Sequence, residues 1–336
     1  LGDAIEVFPS EKWGSDFTSP VGTNLTGAPA AFEFVALSIM ARENGTQVAV
    51  DADGTGGGAA VVYTLDEGES VLVQGILVGA TVAATPSSGI GTRAVQVDIL
   101  TANNGSTYEG RWFNLPSTNR WGSSYWAPAG TTVAGATNAA IVYVHNPGAA
   151  SINVSQADLT GTTVFAVGAR ATVARTLPLN SPVSAAHFFT TGGTPPPFYA
   201  VSAIAINQSI FDWGYALVPE SLLTPAAVVG WAPGSTDLNR DVSPIWLTVA
   251  KTTPGSTTVY VDEDGDPATG PNIDPNGNRY NVACVVNNLE SIRVFDDGPS
   301  TPNPPPAGSC AIPSGDNSQT GMRIYTLDGT KIVAAW

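Results

Sequence analysis

Apolar and polar positions alternate along much of the chain, and this pattern predicts β-strands. Residues 94–99 follow a two-residue period, and residues 48–51 and 258–261 are short runs rich in β-branched side chains. Asn44 and Gly45 lie between two such runs, where both residue types accept the positive φ of a tight hairpin turn. No stretch of about 12 residues keeps a helical period without a Gly or Pro. The pattern therefore predicts an all-β chain of antiparallel strands.

Several motifs recur in one order, which indicates three internal repeats. Residues 34–53 form a predicted strand, a turn with Gly, a second strand and an acidic turn, and residues 245–264 repeat this order. A middle copy covers residues 140–155. Repetition at a fixed period is typical of supersecondary units arranged in tandem. We expect three repeats of about 100 residues, covering residues 1–110, 111–205 and 206–336.

A Trp-Gly pair marks each repeat. The first two pairs are followed by an aromatic residue, a Pro and a Gly at the same spacing, and the third pair is a looser copy. A Trp buries about 200 Å² and anchors a strand on a core, while the Gly beside it permits a bend or a close backbone approach. We expect these pairs to be structural corners, with exposed sugar-stacking tryptophans as the alternative. The pairs are Trp13-Gly14, Trp121-Gly122 and Trp213-Gly214.

The repeats can be arranged in two ways. Tandem β-sandwich-like modules give each repeat its own core, whereas a closed propeller-like ring places the repeats around one axis. An extended segment precedes each corner, and none follows residues 331–336. The strand at residues 5–8 can fill that place within one molecule, fill it in a second molecule by strand addition, or pair inside its own repeat. We expect tandem sandwich-like modules, with the ring as the alternative.

The corner motif resembles a known family. Trp-Gly-x-x-(Phe/Tyr) followed by Pro, at residues 13–20 and 121–128, resembles the N-terminal region of IgGFc-binding protein and its bacterial relatives. The third repeat, with Trp213-Gly214 and residues 259–262 and 327–330, is similar to the bacterial branch. The resemblance implies an extracellular adhesive or scaffolding role within large secreted, repeat-containing surface proteins, and it supplies no catalytic residue. The low cysteine content and the loose third corner depart from the family pattern.

Composition narrows the class of protein. Only 12% of residues are charged and 43% are apolar, which indicates a folded chain rather than a disordered one. The net charge of −15 disfavours nucleic acid and anionic membranes as partners, because both are polyanions. No apolar window of about 18 residues is present to cross a bilayer as a helix. The first residues lack the basic and apolar regions of a signal peptide. We expect a mature extracellular or cell-surface protein.

The densest acidic group lies at residues 262–266 and is followed by further oxygen-bearing side chains up to residue 278. Ca²⁺ takes six to eight hard oxygen ligands, which carboxylates at alternate positions can supply. The alternative is a solvated acidic hairpin tip. Residues 51–54 are the counterpart in the first repeat and offer fewer ligands. The predicted Ca²⁺ ligands are Asp262, Asp264, Asp266, Asp274, Asn276 and Asn278.

Cys284 and Cys310 are the only cysteines, and they bracket the Pro-rich residues 299–306. Such a stretch forms neither a helix nor a central strand. We expect a disulfide that closes this loop, and two free thiols of a cytosolic protein are the alternative.

No catalytic set is predicted. His145 and His187 lie in predicted β segments, where packing or surface positions are expected, and no Gly-x-Ser-x-Gly motif is present. We therefore expect no catalytic residue. The predicted function is a non-enzymatic extracellular structural or adhesive protein that self-associates into filaments or a surface layer by strand addition.

Two other functions stay open from the sequence. One is a glycan- or protein-binding module of a larger bacterial adhesin, using exposed aromatic residues such as Trp126, Tyr199 or Trp231. The other is a secreted polysaccharide-acting enzyme, whose pair of carboxylates cannot be singled out among 28 acidic residues.

Overall fold

The chain is all-β, as the sequence predicts. The computed structural model describes residues 9–26, 31–55, 59–103, 110–128, 140–177, 185–204, 214–230, 245–296, 308–312 and 318–335. Within these ranges the structure contains β-strands and short 3-10 turns but no α-helix. No helix in the described part of the chain has the length and hydropathy needed to cross a membrane.

Eight strands form the first module. They are β1 (Asp16–Thr18), β2 (Phe34–Ala41), β3 (Thr46–Asp51), β4 (Val61–Leu65), β5 (Ser70–Gln74), β6 (Thr81–Pro86), β7 (Val95–Ala102) and β8 (Gly110–Leu115). One antiparallel sheet has the strand order β1-β6-β3-β4, and the other has the order β5-β2-β7-β8. Buried side chains of both sheets contact each other, so the module is a two-layer sandwich.

The second module repeats this topology. Its strands are β9 (Ser124–Pro128), β10 (Ala140–His145), β11 (Ile152–Asp158), β12 (Gly161–Val167), β13 (Thr172–Thr176), β14 (Ala185–Phe189), β15 (Tyr199–Ile204) and β16 (Gly214–Ala216). The sheets have the orders β9-β14-β11-β12 and β13-β10-β15-β16. Each strand therefore has the same neighbours as its counterpart in the first module.

The third module keeps the plan with three changes. Its strands are β17 (Ala226–Val228), β18 (Ile245–Ala250), β19 (Ser256–Asp262), β20 (Asn272–Ile273), β21 (Arg279–Tyr280), β22 (Val282–Asn287), β23 (Ser291–Asp296), β24 (Ser309–Ile312), β25 (Arg323–Thr326) and β26 (Lys331–Ala335). The sheets have the orders β17-β25-β19-β22 and β24-β23-β18-β26. The β20–β21 hairpin is inserted, β24 is added, and no described strand lies where β8 and β16 lie in the other modules.

β24 pairs with β23 in parallel, whereas we expected antiparallel pairing throughout. A parallel pair needs a connection of about a dozen residues. The connection between β23 and β24, residues 297–308, has that length.

The sheets move the expected repeat boundaries toward the C-terminus. β8 pairs with β7 and β16 pairs with β15, so the boundaries expected after residues 110 and 205 each separate the last strand from its own sheet. Each repeat has two sheets, so the described strands form tandem sandwiches rather than the single-sheet blades of the propeller-like alternative.

A 3-10 turn opens each module, at Ser10–Lys12, Thr118–Arg120 and Glu220–Leu222. The two residues after each turn form the corner, because the second of them makes a β-bridge to the same place in its module. Gly14 bridges to Val95, Gly122 to Phe198 and Thr224 to Ile332. The third corner is therefore Leu223-Thr224.

The expectation that Trp213-Gly214 forms the third corner is corrected by these bridges. Gly214 begins the edge strand β16, and Trp213 lies outside the described residues. The prediction from the sequence was wrong because a Trp-Gly pair at the start of an edge strand has the same residues as a Trp-Gly corner. The true third corner has neither a Trp nor a Gly.

The apolar core runs without interruption from the first module into the second. At their junction, the rings of Phe32 and Tyr143 meet edge to face with centroids 4.9 Å apart. The third module has a separate core cluster. A small cluster of Trp126, Leu223 and Val333 joins it to the second module.

Candidate functional site

The predicted acidic turn begins where β19 ends. Asp262 is the last residue of β19 and lies opposite Arg323 of β25. Its side chain is fully buried, and neither carboxylate oxygen has a hydrogen-bond partner. Burial is the main cause of a raised pKa of about 6 for Asp262, and the neighbouring charge of Asp264 contributes to it.

Asp264 faces Asp262 from the exposed tip of the turn. Its Oδ1 accepts hydrogen bonds from the backbone N–H of Asp266 at 3.0 Å and from Thr269 Oγ1 at 2.8 Å. Asp266 in turn accepts the backbone N–H of Ala268 at 2.9 Å. These bonds hold the tip of the turn in one conformation. Among the described carboxylates of the turn, that of Asp262 receives no hydrogen bond.

The other predicted Ca²⁺ ligands form a second group at the β20–β21 hairpin. Asp274 accepts the backbone N–H groups of Asn276 and Asn278 at 2.8 and 2.9 Å, the side-chain amide of Asn278 at 3.1 Å and the hydroxyl of Tyr325 at 2.9 Å. Burial raises the pKa of Asp274, but these bonds outweigh it and lower the pKa overall. Asp274 thus has four donors and stabilises the hairpin turn.

The six predicted ligands are therefore divided between two turns. Within the described part of the chain, no group of three or more Asp, Glu, His or Cys side chains converges in a way that could hold a metal ion. A cation held by all six residues is not what the geometry supports, and Ca²⁺ binding stays a prediction.

The predicted disulfide is present. Cys284 of β22 is bonded to Cys310 of β24, with their Cα atoms 5.9 Å apart. β22 and β24 are edge strands of opposite sheets in the third module. The bond therefore clips the two layers together along one side of the sandwich.

A polar cluster that the sequence did not reveal lies between the second and third modules. Ser124 Oγ is 2.7 Å from His187 Nε2 and donates a short hydrogen bond to Glu220 Oε2. Trp126 Nε1 donates to the same Glu220 oxygen at 3.0 Å, and the Trp126 ring stacks on His187 with centroids 4.2 Å apart. Lys331 Nζ of the third module donates to the backbone carbonyl of Glu220 at 2.8 Å.

The cluster has the residue types of a hydrolase triad but not its connectivity. In a nucleophilic triad the acid contacts the His ring nitrogen that faces away from the Ser. Here Glu220 accepts the hydrogen of the Ser124 hydroxyl, and the same Glu220 oxygen is 3.6 Å from His187 Nε2. The Ser124 hydroxyl therefore donates to an acid instead of being deprotonated by a base, and the arrangement ties two modules together.

Glu220 has a strongly lowered pKa of about 2. The interaction with His187 is the largest cause, and the hydrogen bonds from Ser124 and Trp126 add to it, while burial acts in the opposite direction. Glu220 is therefore ionised at neutral pH. No sequence signal points to this group, because Ser124 is 63 residues from His187 and 96 residues from Glu220.

His145 packs in the core and is neutral. It is fully buried, burial lowers its pKa to about 3, and its Nδ1 lies 3.0 Å from Thr172 Oγ1. The Thr172 hydroxyl donates to the carbonyl of Pro20 in the first module at 2.6 Å. The edge of the Trp121 ring meets the His145 ring at 5.9 Å. His145 thus supports the junction between the first two modules.

Two of the aromatic residues considered as glycan platforms are buried. Trp126 is 0% exposed and Tyr199 is 1% exposed, since Tyr199 stacks on the corner residue Trp121. The platform interpretation is wrong for these two, because a stacking sugar needs an open ring face. Trp231 lies outside the described residues.

Comparison with protein-family models, with curated proteins and with solved structures finds no match. The resemblance to bacterial relatives of IgGFc-binding protein stays a prediction.

Proposed function

We propose that this chain is a non-enzymatic structural or adhesive module of an extracellular surface. The observation that carries the proposal is the continuity of its module junctions. The first two sandwiches share one core cluster, and Trp126, Leu223 and Val333 bury a second apolar contact between the second and third. Modules joined through buried apolar surface keep a fixed relative orientation, unlike modules joined by flexible linkers.

Polar contacts support the same role at both junctions. Arg170 donates to the carbonyl of Thr55 at 3.3 Å across the first junction. Ala185 N donates to the carbonyl of Leu289 at 3.0 Å across the second. The disulfide of the third module suits an oxidising, extracellular compartment.

Strand addition between copies is the proposed route of self-association. In the first two modules, the last strand of the sheet, β8 or β16, lies just before the corner of the next module. Leu115 pairs with β7, and Leu217 donates a backbone hydrogen bond to β15. Val7 lies three residues before the first 3-10 turn, just as Leu115 and Leu217 lie three residues before the second and third turns. Among the described strands, β26 pairs only with β18. We expect residues 1–8 of one copy to add to the free side of β26 in another.

The two parts of the proposal have separate tests. Sedimentation velocity and negative-stain microscopy over rising protein concentration report assembly. We expect the full chain to form end-to-end oligomers and Val7→Asp to stay monomeric. Val62→Asp, which changes an exposed residue of edge strand β4, is the matched control and should assemble like the parent chain. A parent chain that stays monomeric, or a Val62→Asp variant that loses assembly equally, contradicts strand addition.

Rigidity is tested by distance measurements between spin labels placed in the first and third modules. A narrow distance distribution is expected, because buried apolar contacts fix the junctions. A distribution as broad as that of linker-joined domains contradicts the scaffold role. Self-association is preferred to glycan binding here because Trp126 and Tyr199 are buried.

A further inference from the structure

Two modules carry the same acidic turn at the same place in the fold. β3 ends in Asp51 and continues as Ala-Asp-Gly, and β19 ends in Asp262 and continues as Glu-Asp-Gly. β3 and β19 are the equivalent third strands of their sheets. The carboxylates of the two turns can therefore be compared directly.

The first-module turn satisfies its own carboxylates. Asp51 is half-buried, and its Oδ1 accepts the backbone N–H of Asp53 at 3.3 Å. Asp53 accepts both the backbone N–H and the hydroxyl of Thr55 at 2.8 Å. This turn needs no further ligand.

In the third-module turn, one buried carboxylate lacks a hydrogen-bond donor. Asp262 is fully buried, its two oxygens have no donor, and the carboxylate that faces it belongs to Asp264. An isolated buried carboxylate is costly unless a positive charge or donor compensates it. Arg323 lies opposite in the ladder with its guanidinium over the ring of Tyr325, 4.4 Å from the ring centroid. Its charge lowers the pKa of Asp262 but does not outweigh the effect of burial.

We propose that a divalent cation of the calcium type binds between the carboxylates of Asp262 and Asp264. Carboxylates are the hard oxygen ligands that Ca²⁺ prefers, and water or backbone carbonyls complete its shell. Asp264 is exposed, so the cation reaches the site from solvent, while Asp262 supplies the buried charge. This site is narrower than the six-residue set expected from the sequence, since Asp274, Asn276 and Asn278 form a separate hydrogen-bonded turn at the β20–β21 hairpin.

The turn is held ready for a ligand. Gly265 has a left-handed φ of 69°, and a Cβ there would lie 2.7 Å from the carbonyl oxygen of Gly321. The Thr269 hydroxyl donates a bifurcated hydrogen bond to the two oxygens of Asp264, at 2.8 and 2.9 Å. Asp266 adds a negative charge near Asp262. Binding therefore needs little rearrangement of the backbone.

The test uses the full chain with its disulfide intact, dialysed against a chelator and then titrated with CaCl₂. Calorimetric titration should show one site with a dissociation constant of about 0.1–1 mM, as for extracellular calcium modules. At ten times that concentration, the melting temperature of the third module should rise by about 5 °C. Tb³⁺ should luminesce on tyrosine excitation, because Tyr260 contacts the rings of Tyr280 and Tyr325 beside the turn.

Three variants separate the possible outcomes. Asp262→Asn should fold, lose the Ca²⁺ response and lose Tb³⁺ luminescence. Asp264→Asn, at an exposed position, tests the same site if the first variant folds poorly. Asp53→Asn in the first module is the matched control and should keep the full response. A parent chain that ignores Ca²⁺, or a response that survives both Asp262→Asn and Asp264→Asn, overturns the proposal. Stability that follows pH but not Ca²⁺ also overturns it, because a shared proton then joins the two carboxylates.

Discussion

The corner glycines are required by the residues that pack on them. A Cβ on Gly14 would lie 2.3 Å from Ser117 Cβ, and one on Gly122 would lie 2.9 Å from Pro219 Cβ. Ser117 and Pro219 cap the 3-10 turns of the following modules. Each glycine therefore allows its corner to contact the N-cap residue of the 3-10 turn in the following module. Thr224 holds the corresponding place in the third corner.

Gly14→Ala should destabilise the protein by about 1–3 kcal/mol, because the added methyl group overlaps the Cβ of Ser117 and the backbone must shift. Urea unfolding measures the change. Gly193→Ala is the matched control, since nothing lies within 4 Å of a Cβ at that position. Equal effects of the two substitutions would contradict the packing role of Gly14.

Glu220 makes the stability of the second junction depend on pH in the acid range. Its pKa falls from an ordinary value of 4.5 in the unfolded chain to about 2 in the folded one. A lowered folded pKa stabilises the protein above the unfolded value, and this contribution is lost as the pH falls through the folded value.

Glu220→Gln should therefore reduce stability at neutral pH and flatten the loss of stability between about pH 4.5 and 2. Urea unfolding at a series of pH values measures both effects. Glu67→Gln, at an exposed position, is the control. If the parent chain and Glu220→Gln have parallel pH curves across this range, Glu220 does not contribute through ionisation.

At the scale of elements, the third module depends on a covalent link between its layers. β22 and β24 are both edge strands, and β24 has a single described strand neighbour, β23. The disulfide joins residues 26 positions apart and places Cys310 in the module core. It therefore fixes an added strand that has few other contacts to hold it.

Reduction of the disulfide should destabilise the third module by about 3–4 kcal/mol in the chain-entropy model. Calorimetry with and without reductant measures the loss in the transition of that module. Cys284→Ala with Cys310→Ala should reproduce it and should not respond to reductant. An unchanged melting profile after complete reduction would contradict the role assigned to the link.

At the scale of the whole molecule, the distribution of buried apolar contacts predicts how the modules unfold. The first two modules share one core cluster, whereas the third has its own. Loss of either of the first two modules exposes the core of the other, so they should unfold as one cooperative unit.

Calorimetry should therefore show two main transitions rather than three. Leu37→Ala, at a fully buried position in the first module, should lower the transition that contains the first two modules together. Leu247→Ala, equally buried in the third module, should lower the other transition. Each substitution should cost about 2–5 kcal/mol. Three independent transitions, or one common shift for both variants, would contradict this division.

The sequence by itself determined the strands, the threefold duplication and the cysteine pair, because these depend on local alternation, repeated order and the number of thiols. It did not determine the third corner, since Leu223 and Thr224 carry no distinctive letters and only their bridge to Ile332 identifies them.

Burial and long-range contact were decided by the tertiary structure alone. Asp51 and Asp262 have nearly the same local sequence, yet only Asp262 is fully buried without a donor. Ser124, His187 and Glu220 meet only because β9, β14 and the 3-10 turn at Glu220–Leu222 converge. Local residue patterns set backbone preference, whereas the solvation and partners of a side chain depend on segments that are distant in the chain.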